Sequence, residues 1–69
     1  MKQYVENFDF LPDTAFVRIK TVCQLFGISA ATVWRRCADG SLPAPRKFGS
    51  RITCWSVGEL RAVMRELAA

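Results

Sequence analysis

Histidine is absent from this 69-residue chain. Most acid–base and nucleophilic catalytic sites use an imidazole, so its absence weighs against an enzyme. The 6 acidic residues are scattered without a pair spaced for acid–base work, and the 4 glycines stand singly, so no phosphate-binding loop is indicated. We therefore expect no catalytic residue and no bound cofactor.

Cysteine is scarce and odd in number, with Cys23, Cys37 and Cys54 and no Cys-x-x-Cys pair. A structural zinc site takes about four cysteine or histidine ligands, which this chain lacks. We predict no metal site and expect three reduced cysteines that behave as small buried residues.

Long apolar runs are missing too. No stretch of about 18 apolar residues is present, so we expect no transmembrane helix and no membrane partner. The opening segment "MKQYVENFDF" carries Glu6 and Asp9 and lacks the apolar core of a signal peptide. These features predict a cytoplasmic location.

Positive charge is present and unevenly distributed. The net charge is +4, and residues 1–15 carry −2, residues 16–55 carry +6 and residues 56–69 are neutral. A basic segment within a folded module favours a polyanionic partner. A solvated surface of a basic protein is the alternative, and charge alone does not decide between them.

The chain is long enough for one domain, and its 51% hydrophobic content supports a small core. Residues 1–14 show no clean period and contain Pro12-Asp13, so we predict a flexible N-terminal arm over 1–14 and a domain over 15–69. A short β-favouring run, "AFVRI", opens the domain.

Two short helices follow. Apolar residues at helical spacing from Ile19 to Phe26 predict the first helix, which ends at Gly27. Ser29 is a suitable N-cap for a second helix, which Gly40 ends. Two helices joined by a short glycine-containing turn are typical of a helix-turn-helix, although a helical hairpin with a solvated basic face gives the same pattern.

A β-hairpin is predicted next, because Pro43 and Pro45 force an extended path and Gly49-Ser50 suits a two-residue type II′ turn. Ser56 and Glu59 then form a capping box for a closing helix, whose apolar stripe includes Leu60 and Leu67. The predicted fold is mostly α with a small β-hairpin: a winged helix-turn-helix of three short helices plus a wing.

The ordered motifs "FVRIKTVCQLFGIS", "SAATVWRRCADGSLPAP" and "RKFGSR", with the Trp55-Ser56 junction before the last helix, carry a family resemblance. Over about residues 15–67 the chain resembles the AlpA family of small prophage-borne regulators. That family lies within the wider group of excisionases and MerR-type DNA-binding domains.

The resemblance implies a sequence-specific double-stranded DNA-binding transcriptional regulator of phage or mobile-element origin. The recognition helix, about 29–39, would enter the major groove, and the wing, about 46–53, would lie on the backbone or the minor groove. The implied DNA-binding residues are Ser29, Ala30, Ala31, Thr32, Trp34, Arg35, Arg36, Arg46, Lys47, Ser50 and Arg51.

One departure from the family pattern concerns Ala30-Ala31, which stand where a basic or polar residue is common. Readout by these two side chains can only be apolar, for instance against a thymine methyl. Specificity is then expected to depend on Arg35, Arg36 and DNA shape.

Two alternatives stay open. An excisionase, or recombination directionality factor, has nearly the same sequence requirements. A protein-interaction module using the basic face is an alternative of another class. Besides double-stranded DNA, candidate partners are a second copy of the chain, as a dimer or cooperative multimer on DNA, and an integrase or other phage protein.

Overall fold

A computed structural model describes residues 8–68. Its helices are α1 (Ile19–Phe26), α2 (Ala30–Asp39) and α3 (Val57–Ala68), and a 3-10 turn covers Phe8–Phe10. Its strands are β1 (Phe16–Val17), β2 (Arg46–Phe48) and β3 (Ile52–Ser56). Over these residues the predicted class, mostly helical with a small β element, is confirmed.

The predicted ends of α1 and α2 are confirmed. Gly27 follows α1 in the left-handed region, with φ 66°, and its N–H donates to the carbonyl of Cys23. Ser29 has extended backbone, and its Oγ accepts from the N–H of Thr32 at 3.2 Å. Gly40, with φ 89°, ends α2. The turn between the helices is therefore closed by local hydrogen bonds that the sequence specifies.

The sheet has one more strand than the predicted hairpin. Over residues 8–68 it has three antiparallel strands in the order β1-β3-β2, so the central strand is the last in sequence. Val17 of β1 pairs with Trp55 of β3, which joins the start of the domain to the hairpin.

The hairpin loop differs from the prediction. Phe48 pairs with Ile52, so three residues, Gly49 to Arg51, connect the strands. The predicted two-residue type II′ turn is wrong, because it would pair Phe48 with Arg51. Gly49 does have a positive φ, 74°, as the prediction of a glycine-dependent turn requires.

The core lies between the inner face of the sheet and the three helices. Trp55, on the central strand, is fully buried, as are Val33 of α2 and Leu60 of α3. A fully buried side chain of this kind contributes roughly 1.5–3 kcal/mol. The buried apolar residues are Phe8, Val17, Val22, Val33, Leu42, Cys54, Trp55, Val57 and Leu60.

The predicted capping box at the start of α3 forms only in part. The N–H of Glu59 donates to Ser56 Oγ at 3.3 Å. The Glu59 carboxylate does not return to Ser56, because its Oε2 accepts from Arg46 at 2.7 Å. Its Oε1 is buried, and none of the described residues donates to it.

The described part of the predicted arm packs against α3. Phe8 is buried, and Arg61 donates to the carbonyls of Phe8 (3.0 Å) and Leu11 (2.7 Å) and to Asp13 Oδ1 (2.6 Å). The guanidinium also lies over the Phe8 ring, 5.0 Å from its centroid. The rest of the predicted arm, residues 1–7, lies outside the described residues.

Gly58 allows this close approach. Its N–H donates to the carbonyl of Asp13 at 3.1 Å. A Cβ at position 58 would lie 3.2 Å from both the Cβ and the carbonyl oxygen of Asp13. A larger residue would therefore push the N-terminal segment away from α3.

Candidate nucleic-acid interface

Helix α2 turns one side into the core and the opposite side outward. Residues on a helix are separated by about 100°, so Arg35, which is two residues from both Val33 and Cys37, lies about 160° around the helix from each of them. Val33 is fully buried and Arg35 is exposed. Ala31, one turn before Arg35, is exposed on the same side. The outward stripe of α2 therefore consists of a small side chain followed by a cation.

A chain of hydroxyl contacts holds Arg35 toward the start of α2. Ser29 Oγ lies 3.1 Å from Thr32 Oγ1, and Arg35 Nη2 donates to Thr32 Oγ1 at 3.4 Å. Thr32 thus bridges the helix cap and the guanidinium. No acidic residue within the described chain forms an ion pair with Arg35.

Arg36 points in a different direction from its neighbour. It contributes to a groove of about 340 Å³ between α1, α2, the segment after α2 and α3. The groove is otherwise lined by Phe26, Ile28, Ser41, Leu42, Val63 and Leu67. The two adjacent arginines therefore face different surroundings: Arg35 lies on the outward stripe, and Arg36 lies at the rim of an apolar groove.

Trp34 joins α2 to the sheet. Its ring centroid lies 5.4 Å from that of Trp55, with the planes inclined at 52°. Trp55 is fully buried on the central strand, whereas Trp34 is 47% exposed. This contact connects α2 to the core through the central strand of the sheet.

Lys47 lies on the sheet face that carries Trp55, the residue that Trp34 of α2 contacts. It pairs with Thr53 across the hairpin, and Trp55 lies two residues farther along β3, on the same face. Ser50 and Arg51 lie in the exposed loop at the tip. In the described chain, no hydrogen bond or ion pair occupies the side chains of Lys47 and Arg51.

Arg46 lies on the opposite face of the hairpin from Lys47. It pairs across the strands with Cys54, and its guanidinium forms an ion pair with Glu59 at 2.7 Å. The same face carries Phe16 and Phe48, whose rings meet edge to face at 5.3 Å. Of the residues that the sequence nominates, Arg46 is thus the one placed away from α2 and already paired.

Asp39, the last residue of α2, has a carboxyl whose pKa is lowered in the folded protein. Hydrogen bonds from the side chain and the backbone N–H of Ser41 lower the pKa of its carboxyl, and the charges of Arg36 and Arg35 act in the same direction. The N–H of Ser41 lies 2.8 Å from Asp39 Oδ1. The carboxylate on this face is therefore engaged with Ser41.

The cysteines are free thiols, with Cys54 buried and Cys23 and Cys37 half-buried. Among residues 8–68 there is no cluster of three metal-ligating side chains. In that part of the chain, no helix combines the length and the apolar character needed to cross a bilayer.

Sequence reasoning missed three residues that shape this surface. Glu59 pairs with Arg46, Trp55 supports Trp34, and Arg61 fixes the segment that leads into β1. Each acts on a residue at least 13 positions away, so no local pattern indicated the pairing. The remaining nominated residues, apart from half-buried Thr32, are exposed.

No curated protein and no solved structure matches the chain significantly. One family model does match, over residues 15–66, and it is described as the prophage CP4-57 regulatory protein AlpA. The match includes α1, α2, the hairpin and nearly all of α3. The chain therefore belongs to the AlpA family of prophage regulatory proteins, a family of regulators and not of enzymes.

Proposed function

We propose that the protein is a sequence-specific double-stranded DNA-binding transcriptional regulator of phage or mobile-element origin. The observation that carries the proposal is the placement of Arg35 and Lys47. Arg35 lies opposite the buried side of α2, and Lys47 lies on the sheet face to which Trp34 anchors that helix. Both cations lack an acidic partner within the described chain.

In this proposal α2 enters the major groove and the hairpin rests on the backbone or the adjacent minor groove. The outward stripe begins with Ala31, which is small enough to let the helix approach base edges closely, and Ala30 beside it is equally small and exposed. Arg35 follows one turn later. Lys47 and Arg51 neutralise phosphates beside the groove and so position the helix without reading sequence.

Arg46 has a secondary role in this proposal. Its guanidinium is paired with Glu59 and lies on the far face of the hairpin. Arg36 and Ser50 are exposed beside the main contacts and add phosphate interactions from the flanks. Trp34 holds α2 against the sheet, and the exposed edge of its ring faces the DNA backbone.

The proposal includes a partner copy. A single recognition helix with one wing buries an area at the low end for DNA-binding modules, roughly 600–1,000 Å² of protein surface. A dimer or a cooperative multimer on repeated half-sites would raise the affinity. An integrase or other phage protein is a further candidate partner, and such a regulator would work in the cytoplasm, where prophage DNA lies.

The test is equilibrium binding to a DNA site obtained by unbiased selection, measured over a range of salt concentrations. About four cationic contacts predict a log–log slope near −3.6. Arg35→Ala should weaken binding to the selected site by roughly 1–3 kcal/mol, and Lys47→Ala should weaken binding to all sequences alike and reduce the slope by about 0.9.

Arg65→Ala is the matched control, because Arg65 is an exposed cation of α3 far along the chain from both contact segments. It removes the same charge and should leave the slope nearly unchanged. Binding that is insensitive to salt, or an equal effect of Arg65→Ala and Lys47→Ala, contradicts the proposal. In that case a protein-interaction role of the basic face becomes the better explanation.

An excisionase would use the same interface. Integrase-mediated excision measured with and without the protein separates that role from transcriptional regulation. Stimulated excision assigns the protein to recombination, whereas altered transcription from the selected site without an effect on excision supports the regulator.

A further inference from the structure

We infer that the bound site contains a guanine read by Arg35 through N7 and O6, with a thymine methyl against Ala31 within about two base-pair steps. Thr32 is a positioning residue, whose hydroxyl orients the guanidinium of Arg35 toward the guanine. This inference rests on the proposed DNA-binding function and names the base pairs that the same surface selects.

Arg35 is the only one of the two adjacent arginines that lies on the outward stripe of α2 within the described chain. Its Nη2 is held by Thr32 Oγ1 at 3.4 Å, which leaves further N–H donors of the fork unoccupied. Guanine presents two acceptors, N7 and O6, in the major groove, and a guanidinium donates to both at once. A side chain already held in place loses less conformational freedom on binding than a free one.

Competing partners for Arg35 are occupied. Asp39, one turn farther along α2, accepts a hydrogen bond from Ser41 at 2.8 Å. Thr32 Oγ1 already has two partners, since it lies 3.1 Å from Ser29 Oγ and accepts from Arg35. The hydrogen-bonding capacity of the outward stripe is therefore concentrated in the guanidinium.

Ala31 provides the apolar contact. It is exposed one turn before Arg35, and side chains four residues apart on a helix lie about 5–6 Å from each other. Its methyl group cannot donate or accept a hydrogen bond. The C5 methyl of thymine is the apolar group that base pairs present in the major groove, so it is the feature that Ala31 is suited to contact.

The experiment uses the full chain and the DNA site obtained by unbiased selection, with single bases replaced by analogues. Replacing the guanine with 7-deazaguanine removes N7 and should weaken wild-type binding about tenfold. Replacing it with hypoxanthine is the control, because N7 and O6 are retained and only the minor-groove amino group is lost. Replacing the thymine with uracil removes the methyl and should weaken binding about two- to fivefold.

Variants assign each effect to its residue. Arg35→Ala should abolish the sensitivity to 7-deazaguanine, and Ala31→Gly should abolish the sensitivity to uracil. Thr32→Val should reduce the 7-deazaguanine effect to less than about threefold, because the guanidinium of Arg35 loses its hydroxyl partner. Thr32→Ser, which keeps the hydroxyl, should restore the full effect.

The outcomes separate this inference from the proposed function. A selected site without guanine, or a 7-deazaguanine effect that persists in Arg35→Ala, overturns the inference while salt-dependent, sequence-specific binding still supports the function. A complete lack of salt-dependent DNA binding overturns both.

Discussion

Trp34 of α2 and Trp55 of β3 lie with ring centroids 5.4 Å apart and planes inclined at 52°. They are the 2 tryptophans of the chain. Because one is fully buried and the other is about half exposed, the pair links the core directly to the candidate DNA-facing surface. The relative position of helix and hairpin therefore depends on an aromatic contact.

Trp34→Ala should lower the free energy of unfolding by about 1–2 kcal/mol, because it removes an aromatic pair and half-buried apolar area. Trp34→Phe keeps a ring against Trp55 and should cost less than Trp34→Ala. Chemical denaturation measures both. The emission of Trp34→Phe, which retains only the buried Trp55, should be shifted to shorter wavelength than wild type, and an unshifted spectrum would contradict the assigned burial.

Gly49→Ala should destabilise the domain by about 1–2 kcal/mol. Gly49 has φ 74°, and a Cβ there would meet no atom within 4 Å, so the cost comes from backbone conformation and not from a clash. Gly49→Asn should cost less, because asparagine tolerates the left-handed region. Thermal unfolding compares the two, and an equal loss for Ala and Asn would argue for a steric cause.

Arg61→Met should lower the free energy of unfolding by roughly 2–4 kcal/mol. It removes charge-assisted hydrogen bonds to Asp13 and to the carbonyls of Phe8 and Leu11. Arg65→Met is the matched control, because Arg65 is exposed and lies on the same helix. Equal midpoints for the two variants in urea would show that the N-terminal segment contributes little to stability.

Glu59→Gln should raise DNA affinity modestly and steepen the log–log salt slope by up to about 0.9, because it removes a negative charge and releases Arg46 for phosphate contact. The double variant with Arg46→Gln should return the slope to the wild-type value. On stability, a double-mutant cycle for this half-exposed pair should yield about 0.2–1 kcal/mol. A slope that steepens equally in the double variant would assign the effect to the loss of Glu59 alone.

Asp39→Asn should lower the thermal unfolding midpoint slightly near neutral pH and have no effect in strong acid. Hydrogen bonds from Ser41 hold the pKa of the Asp39 carboxyl below its ordinary value in the folded state. Its stabilising contribution is therefore complete above the unfolded-state pKa of about 4 and is lost as the pH falls through the lower folded value. Midpoints of wild type and variant measured from pH 7 downward should converge, and a gap that widens in acid would contradict the direction of the shift.

Much of the fold follows from local sequence. The apolar spacing from Ile19 to Phe26, the cap at Ser29 and the glycines after both helices predicted α1 and α2 with their ends. These signals are reliable because a helix end is satisfied by neighbouring residues. The hairpin was predicted for the same reason, since Gly49 marks a turn whatever the strands contact.

The errors concern which residues pair between neighbouring elements of the fold. The loop length was wrong because the register places Phe48 opposite Ile52, and a one-residue change would reverse which side chains face the core. The capping box was incomplete because Glu59 binds Arg46, which comes 13 residues earlier, on another strand. In both cases a contact between elements, and not the local motif, decided the outcome.

The candidate site likewise has some features that the sequence determines and others that only the tertiary structure determines. The sequence alone determined that Ala31 and Arg35 share the outward side of a capped helix, because helical periodicity and the Ser29 cap act within a few residues. Only the tertiary structure decided that Lys47 accompanies that helix while Arg46 is turned away and paired with Glu59. The reason is that the face on which a strand residue emerges depends on the register of β3, and that register is set by the burial of Trp55 between the sheet and the helices.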